Sequence, residues 1–352
     1  MNEQALVSVV MCTYNDEKFI SEAIESILSQ TYKKIEFIIV NDGSTDNTKN
    51  VILSFDDSRI KYLEHKRNQG QETSKNFGIS KANGKYIAFM DGDDISLEER
   101  LEAQVDFMET HEDIGICGTC LKAFGDENFE LIYPEKDKEI NFKALLITPL
   151  PHPTCMIRKE VLDRNNIRYE KGWEAAEDYY FMSLILEKTK AYCIQKILYL
   201  HRWHGNNISV RLQKSQKDNA RRMSQSMIYK KFNLRLKDEE IDVLQTMHIY
   251  GGFPFQYFNI VEQLFFKLKK YFEAKKSPNQ DVLKVFLEEI SKKVFMHLMV
   301  NAHRKPTRLL FYFKSEIWKY LLIRQYGLAY AKFFIISILC SFDFKSKSLF
   351  GK

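Results

Sequence analysis

The sequence has no long apolar run. Near its end the longest strongly apolar stretch, Phe333 to Phe342, is ten residues between Lys332 and Asp343, whereas a bilayer span takes about 20. No transmembrane helix is expected. The first residues, MNEQ, lead straight into a strand-like run, so no export leader is expected either. Cysteine is sparse: six residues (Cys12, Cys117, Cys120, Cys155, Cys193, Cys340) are scattered through apolar segments. With no leader expected, that pattern reads as reduced and cytosolic. Cys117 and Cys120 have CxxC spacing but no second pair at zinc-site distance, so they read as strand packing. Glycine-rich phosphate loops are also missing. There is no Walker motif and no GxGxxG, so a bound phosphate would not be cradled at a glycine-rich helix start. Internal repeats and low-complexity tracts are absent. Charge of one sign is nearly balanced at +5, yet it is uneven. Residues 301–352 hold 10 Lys/Arg and 2 Asp/Glu, or +8, leaving 5 − 8 = −3 for the rest. A basic tail on a mildly acidic body suits an anionic surface.

What is present is a well-patterned α/β chain. Apolar content of 45% supplies a packed core, and 352 residues suggest two domains. Leu6 to Met11, Glu36 to Val40, Ile60 to Leu63 and Tyr86 to Met90 are short apolar, β-branched runs, as in buried parallel strands. Helical spacing lies between them: Ile20, Ile24, Ile27 and Leu28, then Val51, Ile52 and Phe55, then a segment stopped by Asn83-Gly84. This βαβ order predicts a mainly parallel sheet flanked by helices. Ligands of such sheets bind beyond the strands' C-terminal ends. Thr13-Tyr14-Asn15, Asn41-Asp42 and Asp91 to Asp94 all follow strands, so they define one crevice. Leu97, Leu101, Val105 and Met108 predict a helix starting near Ser96. Tyr192 to Ile194 and Ile197 to Leu200 read as separate short strands. From about Gln213 strand signals vanish and long helical stretches follow. The expected domains are 1–212, α/β, and 213–352, all-helical.

The sharpest chemical feature is the carboxylate cluster Asp91, Asp93 and Asp94 at the mouth of an apolar strand. Carboxylates this close repel one another, and a cation relieves the repulsion. Oxygen ligands with open positions suit Mg²⁺ or Mn²⁺ bridging to a phosphate-bearing substrate. The plainer reading is a solvated acidic turn before a helix. Asp42, within an Asn-Asp-Gly-Ser turn, can accept hydrogen bonds from a base or ribose, or can simply cap.

Taken together, VSVVMCTYND, FIIVNDGSTDNT, NQGQETSKNFGISKANGKYIAFMDGDD and the later AEDYYF resemble the inverting family 2 glycosyltransferases of GT-A fold. The resemblance covers about residues 5–210. It implies that Thr13 and Tyr14 line the base pocket and that Asp42 hydrogen-bonds the base, typically uracil. Asn68 and Gly70 would approach the nucleotide. Lys75 stands where the family usually has arginine; it keeps the positive charge but not the planar fork. Asp91 would hold the ribose, Asp93 the metal, and Asp94 would support them. Glu177-Asp178 matches the catalytic acidic pair, with Asp178 as base and Glu177 orienting the acceptor or a neighbour. The plain alternative is two anionic residues favouring a helix start. His201 to Ser209 resembles the loop that folds over the nucleotide. His204 would complete the metal site or act structurally, and Arg202 or Ser209 would reach the diphosphate or the acceptor. His152 and Trp173 fall where acceptor-facing residues lie.

The expected activity is metal-dependent transfer of a hexosyl or N-acetylhexosaminyl group from a nucleotide-sugar, a UDP-sugar by the resemblance. The acceptor would be a hydroxyl of a glycan or lipid-linked glycan in cell-surface polysaccharide synthesis. A non-catalytic nucleotide-sugar-binding or scaffold protein at a membrane is the alternative; Asp93 and Asp178 together argue against it. No aromatic–basic readout motif supports a nucleic-acid partner. The basic tail, with Leu309, Phe311, Phe313 and Trp318 interleaved with Arg308, Lys314 and Lys319, suits either peripheral docking on the inner face of the cell membrane or an oligomer contact.

Overall fold

A computed structural model describes residues 4–205, 207, 211–250 and 255–274. The expected mobile loop is thus described only in part, and the basic tail 301–352, with its membrane or oligomer reading, lies outside the described residues.

The chain divides into two compact units, residues 1–227 and 228–352. The first is built on a nine-stranded sheet. Its leading half runs β1 (Val7–Thr13), α1 (Ile20–Leu28), β2 (Ile35–Asn41), α2 (Thr48–Leu53), β3 (Ile60–Glu64), α3 (Gln71–Lys81) and β4 (Tyr86–Asp91). The second half adds β5 (Ile95–Ser96), α4 (Arg100–Thr110), β6 (Ile114–Gly125), β7 (Glu130–Leu131), α5 (Asp137–Lys143), a 3-10 turn at His152–Thr154, β8 (Met156–Arg158), α6 (Lys159–Arg164), α7 (Glu177–Leu186) and β9 (Lys190–Trp203). The strand order is β3-β2-β1-β4-β8-β6-β9-β5, with β7 paired to β6. Strands β3, β2, β1 and β4 are parallel. Strand β8 enters antiparallel between β4 and β6. The result is the GT-A architecture, with helices on both faces.

Burial explains why these segments are strands. Every residue of β2 is buried, and β1 is buried except at Cys12, so the apolar runs have core on both sides of the sheet. Burying each such side chain is worth roughly 1.5–3 kcal/mol. Helix α1 buries Ile20, Ile24 and Ile27, its predicted stripe. Two buried glutamines join distant segments. Gln30 accepts the Leu101 N–H (3.0 Å) and donates to the Leu97 carbonyl (2.8 Å). Gln104 donates to the Thr154 carbonyl (2.8 Å). Cys117 and Cys120 are buried and unpaired in β6.

Two expectations need correction. No helix begins near Ser96. Ile95 and Ser96 pair with Leu200 and Tyr199 of β9, and α4 starts at Arg100. Local periodicity cannot see that pairing, because its partner lies about a hundred residues on. The two short strands around Ile194 and Ile197 are one strand, β9. Its pairing with β6 shifts register between Thr119↔Ile194 and Cys120↔Ile197, so Gln195 and Lys196 bulge rather than break it.

The helix α8 (Gln213–Phe232) follows, then α9 (Asp238–Tyr250) and α10 (Phe258–Ala274). Within the second unit α9 and α10 bury Ile241, Val243, Leu244, Phe258, Val261, Leu264, Phe265 and Leu268. Lys267 pairs with Glu240 at 2.9 Å. No described helix is long and apolar enough to cross a membrane.

Register sets the crevice. Thr13 faces Asn41 across β1 and β2, and Cys12 faces Asp91 across β1 and β4. Gly43 brings the next loop onto that edge. Its φ is +72°, and a Cβ there would sit 2.6 Å from the Arg67 backbone. We expect Gly43→Ala to cost about 1–3 kcal/mol through strain and collision. It should also weaken nucleotide binding, since the displaced loop holds Gln69 and Gly70. A urea midpoint and a UDP titration both matching the unaltered protein would contradict this.

Candidate active site

Four strand ends and the start of α7 converge on a cleft of about 930 Å³. Thr13, Tyr14, Asp42, Asn68, Gly70, Lys75, Asp91, Asp93, Glu177, Asp178 and His204 all line it. Residues up to 204 − 13 = 191 positions apart in sequence thus line one cleft.

The end of the cleft formed by β1, β2 and the loop before α3 is tightly bonded. Thr13 donates to Asp16 Oδ2 (2.7 Å), which also accepts the Tyr14 N–H (3.2 Å). Asp16, which sequence reading left in a motif without a role, is pushed up to about 6 by burial. Asp42 is buried, and its two oxygens accept the N–H groups of Gln69 (2.9 Å) and Gly70 (3.0 Å). Asn68 accepts the same Gly70 N–H through Oδ1 at 3.0 Å. Asp42 therefore shapes the loop before α3 as well as facing the cleft.

The three aspartates after β4 have three different fates. Asp91 lies on the cleft, and its N–H donates to the Tyr199 hydroxyl (3.2 Å). Burial, and then the charge of Asp94, push its carboxyl up to about 8. Asp93 Oδ2 lies 3.0 Å from His204 Nε2; burial and then Asp94 raise its pKa. Asp94 is fully buried and accepts the Arg202 N–H (2.7 Å) and His201 Nδ1 (3.0 Å). Burial opposes charge on His201, but the Asp94 contacts outweigh it and carry the imidazolium to about 9. Asp94 thus fastens β9 to the β4–β5 turn.

Arg202 departs from the expected role. Its guanidinium donates to the Asp93 carbonyl (2.8 Å) and to Glu22 (2.8 Å), between the rings of Phe19 and Phe124 at 4.7 and 4.5 Å. It is absent from the cleft lining, whereas Arg211 and Lys18 are part of it. Residues 201–203 belong to β9 and pair with Ala123 to Gly125, so this part of the expected lid is sheet. Ser209 lies outside the described residues. Trp173 stacks on Tyr180 (4.7 Å) beneath Arg222 (3.8 Å), which is packing rather than a free face.

At the other wall, Lys75 meets a carboxylate. Its Nζ donates to Asp178 Oδ1 at 2.8 Å. Burial would raise Asp178, but His152 and Lys75 reverse that and hold it below its ordinary value. Glu177 goes the other way, to about 7, through burial and then its neighbour Asp178. The adjacent acids are thereby split, one ionised and one near half-protonated at neutral pH.

Similarity to known proteins agrees with this geometry. Residues 8–165 match the family described as Glycosyl transferase family 2. An uncharacterized glycosyltransferase of Haemophilus influenzae is 32% identical over 244 residues, 65% of this chain and 75% of that one. The Escherichia coli protein named UDP-Glc:alpha-D-GlcNAc-diphosphoundecaprenol beta-1,3-glucosyltransferase WfgD is 43% identical over 103 residues, 29% of this chain and 41% of that one. The crystal structure of S. aureus TarS 1-349 in complex with UDP-GlcNAc superposes with a TM-score of 0.57 at 18% identity, covering 85% of this chain and 92% of that one; it shares the fold. The chain belongs to glycosyltransferase family 2, and it is a glycosyltransferase.

Asp91 gives a stability test. Its folded pKa lies above the ordinary 3.8, so the folded state holds more protons between about pH 4 and pH 8. Stability of the ligand-free protein is lost across that window as pH rises. Asp91→Asn should therefore stabilise the ligand-free protein at pH 8 by on the order of 1 kcal/mol or more, and by less at pH 5. Urea midpoints at the two pH values measure it; equal or opposite changes would refute the frustrated carboxylate.

Proposed function

We propose that the protein is an inverting transferase that moves a sugar from a UDP-sugar to a hydroxyl of a glycan or lipid-linked glycan in surface-polysaccharide synthesis. The observation that carries this is one cleft with a cation-seeking pair, Asp93 and His204, on one wall and an ionised carboxylate, Asp178, on the other. The names of WfgD and TarS, with UDP-Glc and UDP-GlcNAc, support a uridine donor.

The residues suit a divalent cation, Mn²⁺ or Mg²⁺. A carboxylate oxygen and an imidazole nitrogen 3.0 Å apart are donors that Mn²⁺ accepts readily. Among the described residues no cluster of three or more such side chains stands ready, so water and the donor's phosphates would complete the shell. Bound there, the cation would neutralise charge on the leaving diphosphate. Thr13, Tyr14, Asp42, Asn68 and Gly70 surround the base and ribose end, and Asp91 faces the ribose. Arg211 and Lys18 offer positive charge at the mouth. On the acceptor side Asp178 takes the hydroxyl proton while the oxygen attacks the anomeric carbon. Glu177, half-protonated, donates or accepts a hydrogen bond to orient that hydroxyl.

Asp178→Asn should leave UDP affinity within about twofold and cut transfer ~10²–10⁴-fold, the usual cost of a lost general base. A panel of nucleotide-sugars with product NMR reads both the donor and the anomeric configuration. Near-normal turnover in a folded variant, or retained configuration, would overturn the proposal.

A further inference from the structure

The wall behind Asp178 is more elaborate than a base requires. Oxygen Oδ1 receives the Lys75 ammonium at 2.8 Å and lies 3.5 Å from His152 Nε2. Oxygen Oδ2 receives no hydrogen bond from any described residue. The Lys75 and His152 side chains are 6% and 4% exposed, against 30% for Asp178. The clamp is therefore sealed from water while the carboxylate opens to the cleft.

His152 has a definable hydrogen. Burial pushes its pKa down to about 3, so it is neutral. Its Nδ1 is buried with no partner among the described residues, while Nε2 contacts the Tyr169 hydroxyl. Nε2 faces the Tyr169 hydroxyl and, at 3.5 Å, the Asp178 carboxylate, which can only accept, so the hydrogen belongs on Nε2. Tyr169 is fixed in turn. Its backbone exchanges two hydrogen bonds with Asn76 (2.8 and 2.9 Å), and its ring stacks on Phe181 at 4.0 Å. Asn76 follows Lys75 on α3, and Phe181 lies one turn beyond Asp178 on α7. The two helices thus hold the carboxylate through two adjacent connections.

We propose that Lys75 and His152 are positioning residues that clamp Asp178 Oδ1 and leave Oδ2 to take the acceptor proton. This rests on Asp178 being the base. In the step, the acceptor O–H proton passes to Oδ2, the acceptor oxygen bonds the anomeric carbon, and the carbon–oxygen bond to the diphosphate breaks with its electron pair leaving on the diphosphate. Lys75 thereby serves the acceptor half of the reaction, not the nucleotide. The charges acting on Asp178 are few. Lys75 on α3 is the cation. His152 is neutral, Glu177 lies on the same helix, and Asp91, Cys12, Tyr169 and Cys155 face it from β1, β4 and the loops. Removing Lys75 leaves the His152 contact alone in favouring the ionised acid, against burial and the neighbouring acids.

The test is a pH profile of transfer with a parallel UDP titration by calorimetry. Lys75→Met should move the acidic limb of kcat upward by about 1–3 pH units, the size of one neighbouring charge. Turnover would then fall about tenfold or more at pH 6 and recover towards pH 9, with UDP affinity within about twofold. Lys75→Arg should hold the limb in place. His152→Phe should lower kcat several-fold at all pH values, and His152→Gln, which keeps an N–H near Nε2, should restore it. In an Asp178→Asn background Lys75→Met should change nothing further. An unmoved limb, or a UDP affinity that falls as much as kcat/KM, overturns the clamp while Asp178 stands as base. Near-normal turnover of Asp178→Asn alone overturns the base and the clamp together.

Discussion

The constraint on which the site depends is the crowding of carboxylates at one sheet edge. Asp16, Asp42, Asp91, Asp93, Asp94, Glu177 and Asp178 meet where β1, β2, β4 and α7 converge. Coulomb energy rises as water leaves, so such a set cannot be fully ionised without counter-charge. The chain supplies counter-charge unevenly. Asp94 has His201 and the Arg202 backbone, and Asp178 has Lys75. Beneath the edge lies the fully buried Arg100, bonded to the carbonyls of Phe89 (3.0 Å) and Pro153 (2.8 Å) and set over the Tyr199 ring. Burial lowers it only to about 10, so it remains a cation. Burial raises the carboxyls of Asp91, Asp93 and Glu177, and the neighbouring acids Asp94 and Asp178 raise them further.

Two of these acids hold elements together: Asp94 ties β9 to the β4–β5 turn, and Asp42 ties down the loop before α3. The raised carboxyls of Asp91, Asp93 and Glu177 line the cleft beside Asp178, where a cation and a substrate would relieve them. With those carboxyls raised, the ligand-free protein is less stable at high pH.

Much of this was legible in the sequence. Short apolar strands ending in Thr13, Asn41 and Asp91 located the edge, because a parallel sheet puts all those ends on one side. The Asp93–His204 meeting and the Glu177-Asp178 helix start came with the family resemblance, and the structure brings those residues into one cleft. What escaped was long-range pairing. β5 is two residues long and owes its existence to β9, so no local period announces it. Arg202 and Lys75 carry charges that a sequence assigns to phosphate by default, yet each found a nearer anion: Glu22 with the Asp93 carbonyl, and Asp178. His152 was noted only by position, and its link to Tyr169 spans a loop that no spacing rule connects.

The central claim is that the cleft holds protons which a cation and donor displace. Calorimetric titration of UDP with Mn²⁺ at pH 7, repeated in buffers of different ionisation enthalpy, counts them directly. The expected result is net release on the order of one proton per nucleotide bound, because raised carboxyls must ionise to meet the cation. The release should shrink above pH 8 and be lost with the metal-promoted affinity in Asp93→Ala. Binding with no proton release at pH 7, or affinity indifferent to Mn²⁺, would contradict it.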